Sequence, residues 1–287
     1  MSTYYNSKKI LSTHKGDVVM LSTLTSSITA LLEEAGGEWG IYMEDLLTGQ
    51  QLAFDADKRF YSASVIKVPI MTAVFSEVYA GTFALDTKIA LRREDQVGGA
   101  GVLQHMTPGT EFTVWDLVTL MIIQSDNTAT NILIDLVGTA SIRQAMQATE
   151  MDNSRFYNKL MIVPARVEGY NEITAADMGR HLRYLATGKV ISYDSCLKMI
   201  DILKKQQHRD RIPFHFPPPG GDLIGMPPRW ELANKTGSVT HITHDVGILY
   251  IGSQAVTICV LNKGLPQKAA AATIAVIGKM VFDLYSK

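Results

Sequence analysis

The chain has 287 residues, 46% hydrophobic and 19% charged, which suits one large globular domain or two entwined ones. Its formal net charge of −1 and pI of about 6.7 give no electrostatic footing for nucleic acid or an anionic membrane surface as partner. No uninterrupted apolar run is long enough to cross a bilayer, so no membrane span is expected.

Residues 1–20 carry Lys8, Lys9, Lys15 and Asp17 without the apolar core of a signal peptide. They read as an N-terminal extension, and the chain as written is expected to be cytoplasmic. Leu21, Leu24, Ile28, Leu31 and Leu32 recur at helical spacing and stop at Gly36-Gly37, predicting an amphipathic helix. Trp39 to Asp45 and Gln50 to Phe54 flank Thr48-Gly49 and predict a hairpin. Helical patterns follow at Ser64 to Ala80, Val114 to Gln124, Thr128 to Val137, Ala175 to Leu185 and Cys196 to Lys204. Pro213, Pro217-Pro218-Pro219, Gly220-Gly221 and Pro227-Pro228 then interrupt regular structure.

Three strand-like runs come next, Glu231 to Ser238, Val246 to Ile251 and Ala255 to Leu261, with a turn at Gly252-Ser253. Gln267 to Tyr285 reads as a closing helix. Sheet segments at both ends with helices between predict an α+β fold, an antiparallel sheet flanked by helices beside an all-helical half. The expected division is 21–60 plus 214–287 for the sheet half and 61–213 for the helical half. Cys196 and Cys259 have no metal or redox spacing and read as two buried thiols.

Three short sets of residues carry the chemistry. The first is Ser64-Val65-Ile66-Lys67. Lys67 stands among residues apolar on every side, and burial of an unpaired ammonium favours the neutral amine, a base at ordinary pH. Ser64 lies one helical turn away on the same face, near a helix start that favours developing negative charge. The plain alternative is a capping serine followed by a lysine that snorkels to water. Pro69, so early in a helix, is expected to distort that turn.

The second set, Ser125-Asp126-Asn127, falls between two apolar helical patterns. It reads either as a turn and N-cap or as a proton relay, with Ser125 serving the leaving nitrogen and Asn127 holding a substrate carbonyl. The third, Lys235-Thr236-Gly237, lies in an extended run. Lysine and threonine there can pair with a carboxylate, while glycine admits a close backbone; the alternative is an edge strand guarded by lysine.

With these sets in this order, the sequence resembles the class A serine β-lactamases and the related penicillin-binding proteins. The resemblance runs from about Leu21 to Lys287. It includes Glu38 to Phe54, Gly98 to Gln104, Leu120 to Asn131, Gln206 to Pro213 and His244 to Gly247. It implies the β-lactamase and transpeptidase fold, with the site between the two halves.

It further implies attack by Ser64 on a lactam or peptide carbonyl, with Lys67 as base and Ser125 as proton donor. The backbone N–H groups of Ser64 and Ser238 would form the oxyanion hole. Asn127, Lys235, Thr236, Gly237 and Ser238 would bind substrate, a small β-lactam or D-alanyl peptide. No metal or organic cofactor is implied. A monomer is expected, and the resemblance suggests a periplasmic or extracellular setting.

The departures concern ester release. That family carries Glu-Pro-Glu-Leu-Asn in a loop after the relay, and Arg155 to Thr174 lacks it. Glu168 and Glu172, with Asn171 between them, are the nearest candidates, Glu168 being taken as the deacylation base. Alignment from the relay places Leu160 to Pro164 where the catalytic pair would stand. No arginine follows Arg229, so the last strands supply no guanidinium for a substrate carboxylate. The rival readings are a D,D-peptidase and a sensor that stays acylated. His241 and His244 raise a zinc reading, but their odd spacing on an extended chain sends them to opposite faces. His105, His181, His208 and His215 are expected in surface or hydrogen-bonded roles.

Overall fold

The computed structural model describes residues 20–161, 169–220 and 224–286. Residues 1–19 of the extension expected over 1–20 and the candidate Glu168 lie outside the described residues. A short 3-10 turn, Leu21–Leu24, leads into helix α1, Thr25–Ala35, which stops at Gly36 as its pattern predicted. The hairpin of β1, Glu38–Asp45, and β2, Gln51–Phe54, follows. Then come β3, Phe60–Tyr61, a 3-10 turn, Ala63–Ile66, and helix α2, Lys67–Tyr79. Strands β4, Lys88–Ala90, and β5, Glu111–Thr113, pair with one another.

Helices α3, Val114–Ile123, and α4, Asn127–Ala148, flank the relay residues. The helix expected over Thr128 to Val137 ends where its pattern stops: Gly138 (φ 76°) has non-helical backbone, and a second helical segment follows it to Ala148. Strand β6, Glu172–Ile173, pairs with β3. Helices α5, Ala175–Ala186, and α6, Tyr193–Lys204, are capped by Thr174 and Ser192, whose hydroxyls accept from Asp177 and Ser195 N–H. Strands β7, Trp230–Val239, β8, Ile242–Ile251, and β9, Gln254–Lys263, precede helix α7, Gln267–Tyr285. Among the described residues no helix is long and apolar enough to cross a membrane.

Five antiparallel strands form the main sheet in the order β2-β1-β9-β8-β7, which brings both chain ends into one layer. Alternation along the strands divides the core. Ile41, Met43, Val256, Ile258 and Val260 join α1 and α7 through Ile28, Leu32, Ile274 and Ile277. Tyr42, Val246, Ile248, Cys259 and Leu261 face the other way, into the core built by α2 to α6. Both faces are therefore covered, and β7 is left at an edge where the helical layer meets it. Cys196 and Cys259 are both free and buried.

Candidate active site

Ser64 lies in the 3-10 turn and Lys67 is the first residue of α2. The tight turn is where Pro69 makes itself felt. Proline cannot donate the hydrogen bond that a continuous α-helix would require, and α geometry begins only at Lys67. Ala63, just before Ser64, has φ +43°, and Ser125 has φ +54°. Left-handed backbone at a non-glycine residue costs of order 1–3 kcal/mol, and here it flanks both hydroxyls of the predicted machinery.

Both lysines are fully buried. A snorkelling Lys67 or an edge-guarding Lys235 would keep its ammonium in water, so both plain alternatives fail. Lys67 Nζ donates to Ser125 O at 2.6 Å and Asn127 Oδ1 at 2.9 Å, and lies 3.1 Å from Ser125 Oγ. Asn127 Nδ2 donates to Gly98 O, which turns its oxygen toward the lysine. Lys235 Nζ donates to Thr236 O at 2.7 Å and lies 3.1 Å from the same Ser125 Oγ. Burial, reinforced by the positive charge of Lys235, holds Lys67 well below an ordinary lysine. Burial and then Arg211 lower Lys235 to about 7, against the opposing pull of Asp245.

Asp126 is the brace of this relay. One carboxylate oxygen caps α4 through Ala129 N–H; the other accepts Val102 N–H at 2.6 Å and Leu103 N–H at 2.8 Å. The loop over residues 98–104 thereby lies directly on the relay. A Cβ at Gly101 would stand 2.3 Å from Asp126 Cα, so only glycine fits there.

Across the cleft, β7 lies against the 3-10 turn. A Cβ at Gly237 would come within 3.0 Å of Ser64 N and 3.1 Å of Val65 N. Ser64, Ser125, Thr236, Gly237 and Ser238 line one cavity of about 370 Å³. Its remaining wall is the connection before β7, with Gln207, His208, Arg209, Asp210 and Arg211, together with Ala100 and Gln267. Gln206 pins that connection by donating to Ile122 O and Asn234 O. His208, expected in an ordinary surface role, is exposed but faces this cavity.

The buried guanidinium of Arg211 donates to Gly237 O, His244 O and Ser238 Oγ. The last strands do lack an arginine. The connection folds back to supply one beneath β7, and chain order gave no sign of it.

In the loop opposite, the one carboxylate among the described residues from Arg155 to Thr174 is Glu172, in β6. Asn131 holds Leu160 by both backbone groups, with 2.8 Å bonds to its N–H and C=O. Leu160 is partly buried against the core, and Met161 Sδ lies 3.4 Å from the point a Gly99 Cβ would occupy. Asn171 is a loop brace, bonding Tyr157 N–H, Asn158 N–H and Asn158 O. Glu172 pairs through its backbone with Tyr61 and Arg155.

His244 donates from Nε2 to Tyr61 O, while its Nδ1 accepts Asn262 N–H, so neither ring nitrogen is free for a metal. Exposed His241 stands before β8 and outside this arrangement. His181 is buried between the hydroxyls of Thr72 and Thr149.

Comparison with known proteins gives the same frame. Residues 23–285 match the model of the β-lactamase enzyme family. β-Lactamase L2 of Stenotrophomonas maltophilia is 27% identical over 221 residues, 75% of this chain and 69% of that protein. A β-lactamase from Sphaerobacter thermophilus superposes with a TM-score of 0.83 at 34% identity, covering 91% of this chain and 96% of that one. The penicillin-binding protein PBP-A gives 0.79 at 26%, covering 92% and 96%, as does a variant of it solved as an acyl-enzyme with penicillin G. With an α+β sheet of five antiparallel strands and a match over nearly its whole length, the chain belongs to the β-lactamase enzyme family.

Proposed function

We propose that the protein is a class A-like serine hydrolase, acylated at Ser64 by β-lactams and slow to release the ester. The observation that carries this reading is the Ser125 hydroxyl held 3.1 Å from each of two buried amines, in the cavity that Ser64 lines.

A neutral Lys67 has two N–H bonds and one lone pair. Its N–H groups are taken by Ser125 O and Asn127 Oδ1. The lone pair is then available to Ser64 Oγ–H or Ser125 Oγ–H. In acylation Lys67 takes the Ser64 proton as Oγ bonds to the lactam carbonyl carbon. The oxyanion is met by the N–H groups of Ser64 and Ser238, on backbone that Gly237 allows to approach closely. The C–N bond then breaks. Ser125 gives its proton to the ring nitrogen and regains one from Lys67. Lys235, donating to Ser125 Oγ, steadies the negative charge that passes through it.

Lys235, Thr236 and Ser238 receive the substrate carboxylate, with Arg211 adding positive charge from beneath. Asn127 lines the acyl side. Slow release is supported by the Leu160–Met161 wall, which offers no base, and Glu168 is kept as the candidate in the loop. The resemblance favours a periplasmic or extracellular setting and a monomer.

Intact-mass spectrometry after mixing with a penicillin is the test. A Ser64 adduct persisting for minutes supports the reading, while opened drug with free protein indicates a rapid lactamase. Loss of a D-alanine from an acyl-D-alanyl-D-alanine peptide would turn the reading toward a D,D-peptidase. No adduct and no turnover would overturn it.

A further inference from the structure

Among the described residues one histidine lines the cavity that holds Ser64. It is His208, which stands in the same wall system as Ser125 and Thr236. His181 and His244 spend both ring nitrogens on hydrogen bonds inside the fold. No hydrogen bond among the described residues engages the ring of His208, whose one bond is made by its backbone.

That backbone is firmly placed. His208 N–H donates to Gln206 Oε1 at 3.0 Å, and Gln206 Nε2 donates in turn to Ile122 O and Asn234 O. Ile122 lies three residues before Ser125, and Asn234 directly precedes Lys235. The imidazole is thereby registered to the two elements that carry the relay hydroxyl and the second amine. Leu160 and Asn131, by contrast, do not line this cavity.

The surroundings keep the ring a base. Partial burial, then Lys235 and Arg211, lower its pKa below the ordinary 6.5, with Lys67 adding to the effect and Asp210 opposing it. Asp210, the carboxylate of this cavity, has an oxygen 3.8 Å from the Arg211 guanidinium. The imidazole is left as the unengaged proton acceptor of the wall.

Resting on the acyl-transfer reading above, we infer that His208 is a general base for ester release, working from the leaving-group side once the leaving group has gone. Its neutral ring takes a proton from water as the water oxygen bonds to the ester carbonyl carbon. The C–Oγ bond then breaks, and Ser64 Oγ takes that proton back from the imidazolium. Ester and water thus give acid and unmodified serine. Donors differ at this step. The amine of an opened penicillin stays tethered to its acyl group and fills the space beside Ser125, between the ester and His208. A donor whose leaving group departs vacates that space to water.

The experiment compares Ser64 adducts formed by a penicillin and by an acyl-D-alanyl thioester, whose thiolate departs. Their lifetimes are followed by quench-flow and intact mass after a single acylation, so they do not depend on the acylation rate. The wild-type thioester-derived adduct is expected to be the shorter-lived, with a release rate that falls as pH drops below 6.5 and the ring gains its proton. His208→Ala and His208→Gln should each lengthen that lifetime ~10²-fold and flatten the acid limb. Added imidazole should restore part of the rate in the alanine variant, where it has room, and not in the glutamine variant. The penicilloyl lifetime should move far less in both. A thioester-derived adduct of unchanged lifetime in both variants would overturn the role of His208 and leave acylation of Ser64 standing. Equal lengthening of the two adducts would overturn its assignment to the leaving-group side. No adduct and no turnover of either donor by the wild-type protein would overturn the acyl-transfer reading, and this inference with it.

Discussion

Lys67 and Lys235 come from different layers of the fold, yet each brings its Nζ to 3.1 Å from Ser125 Oγ. α4 and its cap place the hydroxyl, the first turn of α2 brings one amine and the edge strand brings the other. A hydroxyl so placed can accept from one amine while donating to the other or into the cavity. Ser125→Ala removes the proton path and leaves Ser64 and Lys67 in place. Its acylation rate constant is expected to fall by ~10²–10⁴, with the adduct still forming slowly at Ser64. Ser64→Ala should give no adduct at any time. Rapid mixing with a chromogenic cephalosporin, followed by intact mass, distinguishes the two.

On the proposed reading, the charge of Lys235 governs recognition of an anionic substrate. Its folded value of about 7 lies below the ordinary 10.5, with Arg211 and Asp245 as its main charged neighbours and Lys67 beyond Ser125. Below about pH 7 the free protein presents a cation, and above it a neutral amine. The second-order acylation constant, which reports the free enzyme, should therefore decline as pH rises through about 7. Lys235→Arg keeps its charge throughout and should flatten that alkaline limb, even if its overall rate is lower. A limb unchanged in the arginine variant would assign the titration elsewhere.

Gly237 tests the oxyanion geometry without removing a functional group. Alanine there places its Cβ 3.0 Å from Ser64 N, 3.1 Å from Val65 N and 3.2 Å from Ala63 Cβ, two backbone atoms and a methyl that cannot swing aside. The strand must shift from the 3-10 turn, which misaligns the N–H groups of Ser64 and Ser238. Acylation by a penicillin is expected to fall by ~10²-fold. The thermal midpoint should move by only a few degrees, equivalent to about 1 kcal/mol. A large loss of stability with normal acylation would separate this contact from the chemistry.

The elements that the sequence announced most clearly are those whose signals are local. α1 stops at Gly36, α7 spans Gln267–Tyr285 as expected, and the three long strands match their apolar runs. The first helical segment of α4 likewise ends at Gly138, whose positive φ breaks the helix where the pattern stops, whereas the second segment, running to Ala148, was not announced. Ser64, Lys67, Ser125 and Lys235 could be picked out by residue type and order. Arg211 and His208 could not, because they reach the cavity only through a connection with no periodic signal. Its path is set by Gln206 bonding two distant carbonyls. The brace function of Asn171 was equally invisible, since its partners lie across a loop closure.

Leu160 offers the sharpest test of slow release. Alignment from the relay puts it where the family carries its glutamate, and Asn131 fixes its backbone by both polar groups. The side chain is apolar and packs partly against the core, so Leu160 itself offers no base for water. Leu160→Glu should place a carboxylate there without disturbing Ser64, Lys67 or Ser125. A stability cost of roughly 1–3 kcal/mol is expected from half-burying the charge. The acylation constant should change little, while the lifetime of the penicillin adduct should shorten about tenfold or more through general-base catalysis. Leu160→Gln is the matched control, of similar size but without a base, and its adduct should persist. Equal lifetimes in the glutamate and glutamine variants, both acylating normally, would mean that water reaches the ester from another wall, and attention would pass to His208.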